Sequence, residues 1–207
     1  MYIPEVFAEH DIQEVKEMIR SIGLATLVTS SSEGLLATPM PFLYKEDENE
    51  LGTLHGHIAR ANPQWKHEPV GDAMVIFQGA NAYVSPAWYP SKTQNGRVVP
   101  TWNYIAVHAY GPVEFFDDSA RLLEIVSSLT DSFESGRAER WGVKDAPEEY
   151  VKAQLRGIIG VRIPIRRFDA KKKLSQNQPA ANRLAVKETL SGSDRAEDRA
   201  IAALMPE

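Results

Sequence analysis

Residues 88–104 read WYPSKTQNGRVVPTWNY. Two of the chain's four tryptophans and two of its seven tyrosines fall here, around an Asn-Gly pair and among two prolines. Asn-Gly between extended segments is the strongest short hairpin signal, because both positions of a type I′ turn need a positive φ. NAYVSPAWYP (81–90) and RVVPTWNYIAVHAYGPVEFF (97–116) therefore read as the two arms of a hairpin. Pro90 and Pro100 cannot donate to a ladder, so the tip is expected to project rather than pair.

Along a regular strand over 98–115, alternation sorts the side chains. Ile105, Val107, Ala109, Val113 and Phe115 take one face, which reads as core. Trp102, Tyr104, Ala106, His108 and Tyr110 take the other. That second face is aromatic and amphipathic, a composition that suits a subunit interface or a planar ligand. Cover by a helix of the same chain is the plainer alternative.

Outward from this stretch the periodicity changes several times. HDIQEVKEMIRSIG (10–23) predicts an amphipathic helix opened by Asp11 and Glu14 and ended by Gly23. LATLVTS (24–30) and LLATPMPFLY (35–44) read as a hairpin about SSEG, and LGTLHGH (51–57) as a short strand. ARANPQWK (59–66) predicts a short helix or turn opened by Asn62-Pro63, and DAMVIFQG (72–79) a buried strand. Beyond the aromatic stretch, 117–135 and 145–157 predict helices, 158–168 a strand, and 178–204 two further helices. The order is α+β, with a small antiparallel barrel as the economical way to remove sheet edges.

With 207 residues the chain is long enough for one domain with an appendage. It has no cysteine, which removes disulfides, thiolate metal sites and cysteine nucleophiles, and fits a reducing cytoplasm. MYIPEVFAEHD has no basic start and apolar run, so a signal peptide is not expected. LLATPMPFLY is too short and too proline-rich to span a bilayer. A net charge of −5 argues against direct DNA readout, which draws on a basic face. The last helix mixes acidic with basic residues, unlike a recognition helix.

His55 and His57 form an H-x-H on a strand, both rings on one face, and no third metal ligand is identifiable. Arg60 and Asn62 follow that strand at a helix start, where a guanidinium fork and free N–H groups suit phosphate. VRIPIRRFDAKKKLSQN (161–177) carries six basic residues and reads as a solvated edge or tail, with phosphate or nucleic-acid contact as the alternative. No Gly-rich phosphate loop, HExxH or GxSxG is present, and nothing pairs two carboxylates as acid and base. No catalytic residue is assigned.

GLLATPMPFL, LHGHIARANPQW, FQGANAYVSPAWYPSK, VVPTWNYIAVHAYG and KKLSQNQP together resemble the PaiB-type family. Its members are called FMN-binding negative transcriptional regulators, or protease synthase and sporulation negative regulatory proteins. The resemblance runs from Met1 to about residue 190. It implies an FMN-binding split barrel over 1–190, flavin reductase-like or pyridoxamine phosphate oxidase-like, with flanking helices and a helical tail over 191–207. It also implies a homodimer with FMN at the interface.

On that resemblance Arg60 holds the phosphate, with Lys92, or Lys173 beside Ser175, as a second cation. Thr38, His57 and Asn62 present polar groups to phosphate or ring. Trp102 and Tyr104 form an apolar wall, and Asn103 reaches the ring edge if the strand bulges. Many flavin-binding relatives carry an Arg-Lys pair where this chain reads Arg60-Ala61-Asn62-Pro63, one cation fewer. Distant split-barrel relatives bind haem, an alternative to which His55, His57 and His108 are relevant. The expected function is a dimeric FMN-binding protein that represses transcription indirectly or through a partner. An FMN-dependent NAD(P)H oxidoreductase and a haem-binding protein are the alternatives.

Overall fold

Asp11 begins the first helix by accepting from the Gln13 N–H at 2.8 Å, and α1 (Ile12–Ser21) buries Val15, Met18 and Ile19 at helical spacing. This is a computed structural model, and it describes residues 1–206. After α1 come β1 (Leu24–Ser31), β2 (Gly34–Pro41), β3 (Leu43–Lys45), β4 (Thr53–Ala59) and β5 (Ala73–Val84). A four-residue helix, α2 (Lys92–Asn95), precedes β6 (Thr101–Gly111) and β7 (Glu114–Phe116). Then follow α3 (Ser119–Glu134), α4 (Glu148–Arg156), β8 (Ile158–Pro164), β9 (Arg167–Lys173), α5 (Ala180–Ser191) and α6 (Ala196–Leu204).

The chain divides into two compact units. One is built from residues 22–77 and 108–168. In it β1 pairs along its whole length with β2, from Leu24↔Pro41 to Ser31↔Gly34, and takes the start of β5 on its other side. A separate antiparallel sheet has the order β3-β4-β8-β7. Helix α3, capped by Asp118 accepting from the Arg121 N–H, lies on β3, β4 and β8 and buries Leu122, Ile125 and Leu129. Phe116 stands opposite Gly160, and a Cβ there would come within 2.3 Å of the Phe116 ring. Only glycine leaves that ring its place.

The other unit holds residues 1–21, 78–107 and 169 to the C-terminus. There the strand order is β5-β6-β9, and α5 packs on α6 through Val186, Leu190, Ile201 and Ala202.

Four expectations need correction. The Asn-Gly pair makes no hairpin: Gly96, at φ 65°, ends α2 by donating its N–H to the Lys92 carbonyl at 3.1 Å. Its left-handed freedom serves as a helix C-cap, and residues 85–100 form a structured link instead of a tight turn. Second, the face holding Ile105, Val107 and Ala109 is core, but it stops at Gly111. Val113 and Phe115 are half-buried, and Phe115 lies in β7 of the other sheet. Third, 35–44 is two strands in two sheets, broken at Phe42. Fourth, the basic run is not a solvated tail: it contains the end of β8 and all of β9, the last strand in the order of its sheet, and Lys171 is only 7% exposed, so this edge is not fully solvated.

Candidate functional site

Strand alternation on β9 gives its three lysines different fates. Lys172 pairs with Glu9 at 2.9 Å and Glu14 at 2.7 Å, and these contacts hold its pKa up against burial. Lys171 and Lys173 point the other way. Lys173 Nζ donates to Thr101 Oγ1 at 2.7 Å and to the Trp102 carbonyl. Lys171 Nζ donates to the Tyr2 carbonyl and lies 5.2 Å from the Tyr104 ring centre. Neither has a carboxylate partner among the described residues. Burial, and then repulsion from Lys171, pushes the Lys173 ammonium pKa down.

Immediately after β9 the backbone turns through Ser175, held at φ 64°. A left-handed serine costs on the order of 1–2 kcal/mol, so its surroundings must hold it there. The Gln176 side chain does so: Oε1 accepts from the Leu174 N–H at 2.7 Å and Nε2 donates to the Lys172 carbonyl. Ser175 Oγ donates to Asn103 Oδ1 at 3.1 Å. The turn then delivers the chain to Pro179 and α5, whose first turn has no side-chain cap. Asn182 on α5 fixes the 85–100 link, donating to Ser91 Oγ at 2.9 Å and accepting from the Ser91 N–H.

These segments enclose a cavity of about 360 Å³. Phe7 and Tyr89 give it aromatic walls; Lys173, Arg97, Thr101 and Ser91 supply polar groups. The phenol of Tyr89 has its pKa raised by burial, so it remains a neutral donor. Among the described residues no carboxylate lines the cavity, and α5 begins at its edge. The half-buried Lys173 ammonium, the hydroxyls and an uncapped helix start form an anion cradle. No nucleophile and base are paired in it.

Of the residues singled out in the sequence, Lys173 and Ser175 line this cavity, and Asn103 supports it from the core, fully buried. Lys92 sits exposed on α2, next to the lining residue Ser91. Trp102 faces away from Asn103 along β6 and stacks edge-on against Tyr83 at 5.8 Å, both about half exposed. Tyr104 meets Lys171.

Thr38, Asn62 and Arg60 belong to the other unit. Asn62 Nδ2 donates to Thr38 Oγ1 at 2.8 Å, and Thr38 in turn donates to Gln64 Oε1. Gln64 Nε2 donates to Thr29 Oγ1 at 2.9 Å, which closes the network. Arg60 donates through Nε to the Arg156 carbonyl at 2.8 Å and through Nη2 to the Ile158 carbonyl, with Asp117 3.6 Å from Nη1. Its fork ties the end of β4 to the α4–β8 turn. His55 and His57 share a face of β4; each has a buried Nδ1 without a partner among the described residues, and burial lowers both pKa values. His108 packs against Tyr110.

Sequence reasoning missed Tyr89, Thr101, Arg97, Phe7 and Asn182. The first three lie within the aromatic stretch, where side-chain type alone does not reveal a cavity. Phe7 and Asn182 are distant in sequence and carry no local signal.

The family described as "Putative FMN-binding domain" matches residues 1–167. The chain is 31% identical to the protease synthase and sporulation protein PAI 2 of Bacillus subtilis, covering 99% of this chain and 96% of that protein. Among solved structures, the flavocytochrome Anf3 from Azotobacter vinelandii is similar at TM-score 0.59 and 17% identity, over 94% of this chain and 75% of that one. The FAD and haem binding protein from Mycobacterium smegmatis is similar at TM-score 0.56 and 17% identity, over 84% of this chain and 76% of that one. The fold is thus the α+β split barrel that the sequence led us to expect.

Proposed function

The chain belongs to this FMN-binding domain family, and from that premise we propose that it binds FMN with the phosphate at Lys173. The observation that carries the placement is the Lys173 ammonium, without a carboxylate partner among the described residues, at the wall of an acid-free, aromatic-lined cavity. A phosphate there would meet Lys173, Thr101 and Ser91, and the start of α5 adds a favourable dipole. Tyr89 and Phe7 offer the apolar surface that a flavin requires. Such residues bind and orient; when bound, the flavin itself supplies the redox chemistry.

The reading differs from the expectation at Arg60, whose donors already serve backbone carbonyls. No histidine lines the Lys173 cavity among the described residues, so haem finds no imidazole ligand there. We read the protein as a homodimer, in keeping with the half-exposed Tyr83–Trp102 pair. We read its role as repression through a ligand-dependent partner rather than through DNA contact. A fluorescence titration with FMN tests the central claim. Saturable binding in the native chain that weakens at least about tenfold in Lys173→Ala supports it; no binding, or equal binding in the variant, refutes the placement.

A further inference from the structure

Lys173 is the last residue of β9, and β9 is the last strand in the order of its sheet. One edge of β9 is bonded to β6, and among the described residues no strand meets the other. The carbonyls of Ala170 and Lys172, two residues apart on a strand, point to the same edge. At Ala170 the N-terminal segment covers that edge: the Glu9 N–H donates to the Ala170 carbonyl at 3.1 Å, and Ala8 bridges to Lys171. Two residues on, the side chain of Gln176 takes over. Its Oε1 accepts from the Leu174 N–H at 2.7 Å, and its Nε2 donates to the Lys172 carbonyl.

These two backbone groups lie on either side of Lys173. The peptide planes that carry them are the planes whose rotations are the φ and ψ of Lys173, so one planar amide bonded to both fixes both dihedrals. It does for the end of β9 what the N–H and C=O of a neighbouring strand would do. Only one orientation of the amide serves, because its oxygen must face the N–H and its nitrogen the carbonyl. The reach comes from Ser175, which at φ 64° turns the chain back so that residue 176 lies against 172–174. Two bonds hold that turn. Ser175 Oγ donates to Oδ1 of the fully buried Asn103 at 3.1 Å, and the Ser175 carbonyl accepts from the Gln178 N–H at 2.9 Å.

We propose that Gln176 is a positioning residue for the anion cradle: its amide sets the direction in which Lys173 leaves β9, and with it the place of the ammonium on the cavity wall. The inference rests on the reading of Lys173 as the phosphate-binding residue. Lysine is a point charge on a flexible four-carbon stem, so any freedom at its backbone is carried out to Nζ. At the far end, Thr101 Oγ1 and the Trp102 carbonyl take two of the three ammonium protons. With the backbone clamped and two protons committed, the third has one direction, and that proton is the one a phosphate oxygen would receive. Gln176 is not among the described residues that line the cavity. It acts through Lys173 and does not touch the ligand. All the residues involved belong to one compact unit.

Two variants of the full chain test this. Gln176→Ala removes both bonds, and Gln176→Met removes them while keeping the length of the side chain. Gln64→Ala is the control for lost stability, since Gln64 is a buried amide of the other unit, bonded to Thr29 and Thr38. In fluorescence titrations with FMN, both Gln176 variants should bind about tenfold more weakly than the native chain, and Gln64→Ala should bind as the native chain does. A second readout needs no flavin: the titration of the Lys173 side chain, followed by NMR in ¹³C-lysine-labelled protein and assigned with Lys173→Arg. In the native chain burial and Lys171 hold that titration below an ordinary lysine. In both Gln176 variants it should move up toward the ordinary value as the released side chain reaches water, and in Gln64→Ala it should stay. Native-like FMN affinity in folded Gln176→Ala, or a Gln176→Met chain that behaves as the native one, would overturn the proposal. An equal loss of affinity in Gln64→Ala, or an unmoved Lys173 titration in the Gln176 variants, would do the same. If FMN binds equally well to the native chain and to Lys173→Ala, the phosphate placement is what fails, and the Lys173 titration then decides whether Gln176 positions that side chain.

Discussion

Lys173 and Arg60 are both basic residues where a strand ends, the one closing β9 and the other just after β4, and their surroundings give them different work. The Arg60 fork closes onto the carbonyls of Arg156 and Ile158, so Arg60→Ala should act first on stability, with a cost of about 1–3 kcal/mol for the orphaned carbonyls. Its melting temperature should fall while the FMN affinity of the folded fraction is kept. Lys173→Ala should do the reverse, weakening FMN roughly 10- to 100-fold, the equivalent of one charge-assisted hydrogen bond of ~1.5–3 kcal/mol. Lys173 also sets a pH sign. Its pKa is lowered, so the ammonium that attracts phosphate is lost at lower pH than an ordinary lysine would lose it. FMN affinity should be flat below that pKa and fall as pH rises through it; a profile unaffected up to ordinary lysine titration contradicts the assignment. The histidines carry the opposite lesson for stability. His55 and His57 have folded pKa values below the model-peptide 6.5, so the unfolded chain binds protons that the folded one refuses. Stability should fall as pH drops below about 6.5, before the lowered carboxylates Glu9, Glu48 and Glu114 begin to titrate. Urea midpoints between pH 7 and 5 measure this, in buffers free of acetate and phosphate. His57→Leu should flatten the slope, because burial is the whole cause of the His57 shift.

At the scale of elements, glycine and proline decide where sequence reading succeeds. Helices α1, α3 and α4 were legible because apolar spacing agrees along each with an acidic start, Glu14 in the first turn of α1, Asp118 at the cap of α3 and Glu148 in the first turn of α4. Asn62-Pro63 was legible as a turn opener, and its side chain does accept from the Gln64 N–H. Asn95-Gly96 misled because a positive φ serves a hairpin turn and a helix C-cap equally, and only the four residues before it choose between them. The break at Phe42 and the end of β6 at Gly111 depend on which sheet accepts the next strand, a nonlocal matter. The cavity at Lys173 was half legible: the KLSQN segment drew attention to Lys173 and Ser175, but its aromatic walls come from Phe7 and Tyr89. Gly160 provides a sharp test of register. Gly160→Ala would drive a methyl into the Phe116 ring and should destabilise by about 1–3 kcal/mol through overpacking. In a Phe116→Ala background the same change should cost markedly less, and a chemical-denaturation double-mutant cycle would show the coupling. Additive costs would mean that Phe116 does not stand over Gly160.

For the whole molecule, the question left by the aromatic stretch is what its exposed face meets. Trp102 is 49% exposed and Tyr83 42%, and they touch each other edge-on, a pre-formed platform rather than two mobile rings. Such a pair is expensive to leave in water: full burial of one large side chain is worth ~1.5–3 kcal/mol, and paired aromatics at a hot spot often dominate an interface. A homodimer predicts that light scattering after size exclusion gives twice the chain mass at micromolar concentration. Trp102→Glu would place a charge at the centre of that contact and should shift the native chain to monomer, with its far-UV spectrum unchanged. FMN affinity provides the discriminating second reading. If the flavin contacts both copies, the monomeric variant should lose affinity although Lys173 is intact; if one copy suffices, affinity should survive. A variant that remains dimeric would remove the Trp102 face from the interface and leave the platform to a different partner.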